Sequence, residues 1–438
     1  AFDGERGVRG NCDISAFFLR RAAKYIGQSG TLGFVATNTI AQGATRAIGL
    51  KHLLAQAWQV YEASSSVAWP GSASVVVSIV VLARGEPATK LHPRLNGRRV
   101  DTINSRLHPR PERPDGVPLA QNQHQAFIGS YVLGKGFILT PQAHAALLGE
   151  NRAYTKIIRP FIGGHEVNTH PNQLFHRYVI DFGQRSLAEA EQWPNLLQIV
   201  RTQVKPQRDR LHGNAAAGYR RRFWWRFAGA APELYHELKQ LDRCLVAAVV
   251  SKHLMFSFQP TDRVFSHKLC VVTLSSFTGF AILQSRIHVA WAWLLSSTMK
   301  TDLNYSPVSC FATFAFPTPN LRARLPHLED AGRRFYEARA RWMADTGVGL
   351  TKTYNALSDP TLADRGILDL RRCSEAMDQA VLEAYGWGDL SAPPMCPQTP
   401  GQTQALQTFT DAVIDRLYQL NERRGREEQS QPSDDVRP

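Results

Sequence analysis

Residues 67–84 read Val-Ala-Trp-Pro-Gly-Ser-Ala-Ser-Val-Val-Val-Ser-Ile-Val-Val-Leu-Ala-Arg. In this stretch Trp69 precedes a Pro-Gly turn, and the turn leads into a run of mostly β-branched residues that are apolar at successive positions. Because successive side chains of a strand point to opposite faces, a strand of this kind has to be covered on both faces. The stretch predicts a strand of an α/β sheet.

The segment upstream completes this prediction. Apolar residues keep helical spacing from Asp13 to Ile26, and Gly27 follows as a helix stop. We expect the further elements in the order strand, helix, strand, strand, at residues 31–37, 44–56, 59–63 and 75–82. An alternation that finishes on an apolar strand is typical of the end of a doubly wound α/β sheet, so residues 1–84 predict part of such a sheet.

Composition sets the class of protein. The chain has 438 residues, 43% of them hydrophobic, which is enough for two or three domains. Lys and Arg exceed Asp and Glu by 51 to 37, and the net charge of +14 favours an anionic partner such as nucleic acid. The six cysteines are dispersed without zinc-finger spacing, so we expect no metal site and a reducing, cytoplasmic location. We expect no membrane span either.

The amino-acid composition changes after residue 84. Residues 85–125 are rich in proline and charge and predict a linker, with one hairpin around Asn96-Gly97. Residues 126–325 predict a mixed α+β domain, and residues 326–421 a helical extension with helices near 328–343, 368–385 and 404–420. The apolar-poor residues 422–438 predict disorder.

Three short motifs in this order resemble those of gamma-class N6-adenine DNA methyltransferases, where they are motifs V, VI and VIII. They are Asp13-Ile14-Ser15-Ala16-Phe17-Phe18-Leu19, Gly30-Thr31-Leu32-Gly33-Phe34-Val35-Ala36-Thr37-Asn38 and Trp69-Pro70. The family's Asn-Pro-Pro-aromatic motif and its Gly-rich S-adenosylmethionine motif do not occur here. We therefore expect the chain, which begins with Ala1, to be the C-terminal part of such an enzyme and inactive alone.

The resemblance assigns roles to five residues. Trp69 would be the catalytic stacking platform for a base flipped out of DNA, although a Trp that covers a sheet edge explains it without a function. Phe17 would line the adenosine pocket of S-adenosylmethionine, or it is a core residue of an amphipathic helix. Asp13, Thr37 and Asn38 would also contact the cofactor. A helix cap explains Asp13 as well, and a turn explains Thr37 and Asn38, although these two end a strand at the edge where α/β sheets bind ligands.

A longer resemblance covers the second half of the chain. The stretches 283–293, 299–306, 311–317 and 377–387 resemble the target-recognition domain and helical tail of single-chain type II enzymes of the Mme-type, or type IIL, restriction-modification group. The resemblance implies double-stranded DNA as partner, together with the rest of the methyltransferase and with or without a nuclease domain. It places Arg286 and Lys300 among the DNA contacts.

Two further segments carry predicted DNA contacts. Residues 201–226 hold eight basic residues and one acid, interleaved with aromatics, which suits phosphate contacts, although a solvated basic face is the usual alternative. Their predicted DNA ligands are Arg201, Lys205, Arg220, Arg221, Arg222, Trp224 and Trp225, with one of the two tryptophans packed inward. The turn Ser251-Lys252-His253 matches the family's base-reading position and offers major-groove donors, or it is only a polar hairpin.

The sequence thus predicts the DNA-reading part of a site-specific adenine methyltransferase that uses S-adenosylmethionine in restriction-modification or phage defence. Two alternatives remain at this point. One is a non-enzymatic specificity subunit that positions a separate methylase, and the other is an RNA-binding module, because basic and aromatic residues serve single strands equally well.

Overall fold

The structure is a computed structural model that describes residues 12–73, 75–85, 88 and 92–430. The chain divides into two compact units. The first comprises residues 1–116 together with 292–309, and the second comprises residues 117–291 and 310–438. Among the helices that the structure describes, none is both long and apolar enough to cross a membrane.

The first unit contains a mixed sheet against which helices pack. Helix α1 spans Ser15–Ile26 and ends at Gly27 with φ +76°, a left-handed conformation that favours glycine. Helical structure also runs from Gly43 to Leu54 as α2 (Gly43–Arg46), a π-helical turn (Ala47–Lys51) and α3 (His52–Leu54). The strands are β1 (Gly30–Thr37), β2 (Trp58–Ala68), β3 (Val76–Arg84), β4 (Arg94–Leu95) and β5 (Arg98–Arg99).

Strand β3 lies in the interior of this sheet, as its apolar sequence predicts. The strand order is β1-β3-β2-β4-β5, and β3 runs antiparallel to both of its neighbours. Its Val77, Val80, Leu82 and Ala83 side chains are buried. The Asn96-Gly97 hairpin is confirmed: β4 and β5 pair antiparallel, and both turn residues have positive φ, as a type I′ turn requires.

The segment predicted as a linker is packed structure as far as residue 116. Ile103 and Leu107 lie in the same hydrophobic core as the sheet. The buried Arg46 guanidinium donates to Ser105 Oγ and Glu112 and pairs with Asp115, which joins the segment to the helix that carries Arg46. The sequence does not reveal this packing, because the segment is rich in proline and has no repeating apolar pattern. A few side chains hold it in place.

Residues 292–309 contribute a short hairpin to the first unit. Strands Ser297–Met299 and Asp302–Asn304 pair antiparallel, and Lys300 adopts φ +57° at the tip. The sequence predicts this segment to be part of the domain at residues 126–325.

The second unit is mixed α+β followed by helices, which confirms the predicted class. The strands of this unit are β6 (Ala126–Ile128), β7 (Ile138–Leu139), β8 (Ile158–Ile162), β9 (Arg177–Ile180), β10 (Arg243–Ala248), β11 (Val250–Ser251), β12 (Ser257–Pro260), β13 (Val264–Phe265) and β14 (Leu269–Val272). One sheet has the strand order β12-β10-β14-β6, and another has the order β13-β8-β9-β7. The hairpin strands of the first unit are β15 and β16.

Helices surround these sheets and form the tail. They are α4 (Pro141–Glu150), α5 (Gly164–Thr169), α6 (Leu187–Ala190), α7 (Pro194–Gln203), α8 (Lys205–Asp209), α9 (Ala215–Arg222), α10 (Pro232–Leu238), α11 (Phe277–Gln284) and α12 (Arg286–Leu295). The tail comprises α13 (Pro326–Thr346), α14 (Leu350–Leu357), α15 (Arg365–Ala384) and α16 (Pro400–Ser430).

Helix α16 continues through residues 422–430, where the composition predicts disorder. Arg424 of this segment donates to the Phe316 and Pro317 carbonyl oxygens, and Gly425 is buried close to Val117. These contacts stabilise a stretch that has too few apolar residues to order itself. Residues 431–438 lie outside the described residues.

Candidate nucleic-acid interface

Buried residues of the second unit hold the backbone of the Ser251-Lys252-His253 turn in place. The turn begins at Ser251, the last residue of β11, and the residues after it, Leu254 to Phe256, are buried. Gln284 fixes them, because its Nε2 donates to the Leu254 carbonyl at 3.0 Å and its Oε1 accepts from Phe256 N at 2.8 Å. Lys252 is exposed, so this turn presents a cationic donor on a fixed backbone.

A residue of the helical tail completes the turn. Asn355 Oδ1 on α14 lies 3.0 Å from Lys252 Nζ and 3.0 Å from His253 Nε2. Since an amide oxygen only accepts, both of these nitrogens donate to it. Sequence reasoning missed Asn355 because it lies 103 positions beyond Lys252, and no local pattern marks it.

The basic segment 201–226 separates into a buried part and an exposed part. Arg208 is 3% exposed, and this burial lowers the pKa of its guanidinium to about 10. It donates to the backbone carbonyl oxygens of Val132, Leu133, Phe223, Trp224 and Arg226. Arg208 therefore holds the segment together and is not a phosphate ligand.

Neither tryptophan of the pair is at the surface. Trp224 and Trp225 are each 6% exposed, and both lie in the hydrophobic core of this region. The expectation that one of them faces DNA is therefore wrong. Helix α9 ends at Arg222, and Phe223 leaves the helical conformation with φ −113° and ψ 53°, so adjacent side chains can both reach the core.

The exposed part of the segment remains strongly cationic. Arg201, Arg210, Arg221 and Arg222 are exposed, and the last turn of α9 carries Arg220, Arg221 and Arg222 in sequence. Lys205 is already paired with Asp209 at 2.7 Å, and Arg220 Nε donates to the Ala216 carbonyl. Two of the exposed guanidinium groups lie over aromatic rings of the segment, Arg201 over Trp224 and Arg222 over Phe223.

Arg286 is held inside the second unit. Its side chain is 13% exposed, and its Nε donates to the buried Asp378 carboxylate at 2.5 Å. Its remaining nitrogens donate to the Pro393 and Pro394 carbonyl oxygens. The expectation that Arg286 contacts DNA is wrong, because the side chain is largely buried and each of its three nitrogens already donates within the second unit. Lys300, by contrast, is exposed at the tip of the β15–β16 hairpin in the first unit.

In the first unit, the predicted cofactor residues meet at the end of β1. The Asp13 carboxylate accepts from Ser15 N at 3.0 Å, from Thr37 Oγ1 at 3.3 Å and from Thr39 Oγ1 at 3.4 Å. The hydrogen bond from the Ser15 backbone is the main cause that lowers the pKa of Asp13. The carboxylate is therefore ionised at neutral pH and already holds the start of α1.

Asn38 lies at the same end of β1. Asn38 Oδ1 accepts from Ser78 Oγ at 2.8 Å and from Ser66 N at 3.2 Å, which connects β1 to β2 and β3. Phe17, the residue predicted to line the adenosine pocket, is half-buried near the start of α1.

Trp69 lies in the turn between β2 and β3. Its side chain is 45% exposed, and its backbone N donates to the Val75 carbonyl at 3.1 Å. A Cβ added to Gly71 would lie 2.6 Å from Trp69 Nε1, so the glycine lets the indole lie across the turn. An exposed indole in this position can stack on a planar base.

Within the described part of the chain, no group of His, Cys, Asp or Glu side chains has the arrangement to hold a metal ion.

Part of the chain matches a known protein family. Residues 117–318 match the family model described as "MmeI, target recognition domain". A curated relative, DNA methyltransferase A of Bacillus subtilis (strain 168), is 21% identical over 386 residues, which cover 85% of this chain and 41% of the relative.

A solved structure shows the same fold. It is the type IIL restriction-modification enzyme MmeI in complex with DNA, with a TM-score of 0.70 and 18% identity. The match covers 95% of this chain and 54% of that one, so the chain spans about half the length of the relatives it matches.

Proposed function

We propose that the chain reads a specific site in duplex DNA for adenine-N6 methylation, because residues 117–318 match the model of the MmeI target recognition domain. The parent activity would belong to restriction-modification or phage defence. The observation that carries the proposal is the turn at 251–253. It places an ammonium group and an imidazole on a backbone that Gln284 and the core fix.

These groups have the chemistry of major-groove readers. A lysine donates to guanine O6 and N7, while histidine and serine can donate or accept, so the turn can discriminate base pairs by their edges. The exposed arginines of residues 201–226 would bind phosphates and hold the protein on the duplex without reading sequence. The net charge of +14 supports the same partner.

The first unit would serve the methyl transfer itself. Trp69 would stack on the adenine once it is flipped out of the duplex, which offsets part of the stacking lost in the DNA. Phe17, with the polar edge of Asp13, Thr37 and Asn38, would form one wall around the adenosine of S-adenosylmethionine. That cofactor supplies an electrophilic methyl group when it is bound. We propose that polypeptide outside these 438 residues provides the motif that holds the target amine.

The test is selection of binding sites from a library of randomised duplexes by the full 438-residue chain. We expect one enriched motif, and we expect Lys252→Ala and His253→Ala each to change preference at a base position, with a loss of about 1 to 3 kcal/mol for each good base contact. Lys239→Ala, which removes an exposed charge after α10, should leave the motif unchanged.

Two outcomes would contradict the proposal. A wild-type chain that enriches no motif would show that it reads no sequence. A chain whose binding is competed better by single-stranded RNA than by duplex DNA would belong to the RNA-binding alternative.

A further inference from the structure

Helix α14 of the tail lies directly against the 251–253 turn. Asn355, exposed on this helix, accepts from both Lys252 Nζ and His253 Nε2 at 3.0 Å. The opposite face of α14 is buried through Leu350, Thr353, Tyr354 and Leu357. The helix therefore presents Asn355 outward, at the position of the predicted reading residues.

Buried contacts hold α14 and the turn in one arrangement. Arg339 of α13 is 1% exposed and donates to Phe256 O at 2.8 Å and to Tyr354 Oη at 2.9 Å. Arg339 thus binds Phe256, which follows the turn, and Tyr354, which precedes Asn355 on α14. Breaking such a buried, charge-assisted hydrogen bond would leave a charged donor without a partner in the core, so this geometry is part of the folded core.

A second contact fixes the beginning of α14. A Cβ added to Gly349 would lie 2.4 Å from the backbone of Thr169, the last residue of α5, so the glycine permits a close approach of the two helices. Asn168 of α5 in turn donates to Ser251 Oγ at 3.4 Å. The turn is therefore bordered by α5 and α14, and the three segments form one surface.

We propose that this surface, composed of α5, the 251–253 turn and α14, is the part of the protein that faces the major groove, and that Asn355 is a positioning residue for Lys252 and His253. The inference rests on the proposed function. It extends the reading surface to residue 357, beyond the 117–318 stretch that matches the recognition-domain model.

The physical role of Asn355 is to restrict where the two donors point. A lysine ammonium on a flexible four-carbon stem can reach acceptors on several neighbouring bases. With one of its three hydrogens given to Asn355 Oδ1, Lys252 keeps two donors in a narrow range of directions. Loss of Asn355 should therefore weaken discrimination between bases while it leaves the charge, and the non-specific affinity, in place.

The experiment compares site selection by the wild-type chain with selection by Asn355→Ala, Asn355→Gln and Lys239→Ala. For Asn355→Ala we expect discrimination to fall about five- to tenfold, at the same base positions that Lys252→Ala changes. Asn355→Gln, which keeps an amide oxygen, should recover part of it. Lys239→Ala, which removes an exposed charge outside this surface, should leave the motif unchanged.

A measurement without DNA tests the contact itself. Nitrogen chemical shifts of ¹⁵N-labelled histidine in the full chain should show His253 protonated at Nε2 in the wild type, and a mixture of tautomers in Asn355→Ala. An unchanged motif and unchanged shifts in Asn355→Ala, in a background where Lys252→Ala alters the motif, would overturn this inference and leave the proposed function intact. A wild-type chain that selects no motif, with the expected histidine shifts, would overturn the proposed function instead.

Discussion

Gln42 and Thr298 are 256 positions apart in the sequence and form a pair of hydrogen bonds. The Gln42 Oε1 accepts from Thr298 N at 2.9 Å, and its Nε2 donates to Thr298 Oγ1 at 3.0 Å. The contact holds the β15–β16 hairpin, with Lys300 at its tip, beside the turn that follows Thr37 and Asn38. Residues 292–309, which lie within the stretch that matches the recognition-domain model, therefore pack in the same unit as residues 12–73.

Gln42→Ala should loosen this hairpin without unfolding the sheet. The substitution removes two hydrogen bonds, each worth about 1 kcal/mol. We expect faster amide hydrogen exchange at residues 297–304 and unchanged exchange at the β4–β5 hairpin, measured by mass spectrometry on peptides. Equal protection of residues 297–304 in both proteins would mean that other contacts hold the hairpin.

Asp378→Asn should destabilise the second unit strongly. Asp378 is fully buried, and the Arg286 charge beside it would lose its counter-ion, which typically costs about 3 to 5 kcal/mol. The matched control is Asp369→Asn, which breaks an exposed pair with Arg372 and should cost at most about 1 kcal/mol. Urea unfolding of both variants measures the difference, and similar midpoints would contradict it.

Acid should destabilise the second unit through His288. This imidazole is fully buried, which lowers its pKa from 6.5 to about 4. Its Nδ1 lies 2.8 Å from the Leu283 carbonyl, so Nδ1 carries the hydrogen and the ring is neutral. Between these two pKa values the imidazole is protonated in the unfolded chain and neutral in the folded chain. The free energy of unfolding is therefore unaffected by this histidine above about pH 6.5. It falls as the pH drops towards 4, by at most about 3 kcal/mol.

The measurement is the urea midpoint as a function of pH in the wild type and in His288→Gln. The variant should have a flatter pH dependence between pH 6.5 and 4. His327→Gln, at an exposed position on α13, is the control and should keep the wild-type slope. The prediction fails if His288→Gln keeps it too.

Neutralising the exposed arginines should reduce the salt dependence of DNA binding. If Arg210, Arg221 and Arg222 each contact a phosphate, replacing all three by Gln should lower the slope of log affinity against log salt by about 0.9 per contact. The control replaces three other exposed arginines, Arg334, Arg372 and Arg426, which are already paired with acids. Equal slopes in the two triple variants would assign residues 201–226 to a solvated face.

Trp69→Ala should slow methylation without changing the site. In a longer enzyme that contains this chain, the flipped adenine would lose its stacking surface, and Trp69→Phe should recover part of the rate. Sequencing of the methylated positions together with single-turnover rates separates the two effects. An altered motif in Trp69→Ala would show that the residue reads DNA and does not support flipping.

The sequence alone determined the elements whose signals are local. The apolar run at 75–84 predicts an interior strand, the Asn-Gly pair predicts the hairpin that is observed, and Gly27 ends α1 where the spacing indicates. Three of the four tail helices, α13, α15 and α16, were predicted to within a few residues of most of their ends, whereas α14 was not predicted. These features depend on periodicity and on the conformations that single residues allow.

Only the tertiary structure decided which polar side chains are available to a ligand. A sequence shows that Arg208 and Arg286 are cationic, but their burial depends on carbonyl and carboxylate groups far along the chain. The same holds for the burial of both Trp224 and Trp225 and for the place of Asn355 beside Lys252. Such contacts join segments about a hundred residues apart, and no local pattern encodes which of these segments will pack together.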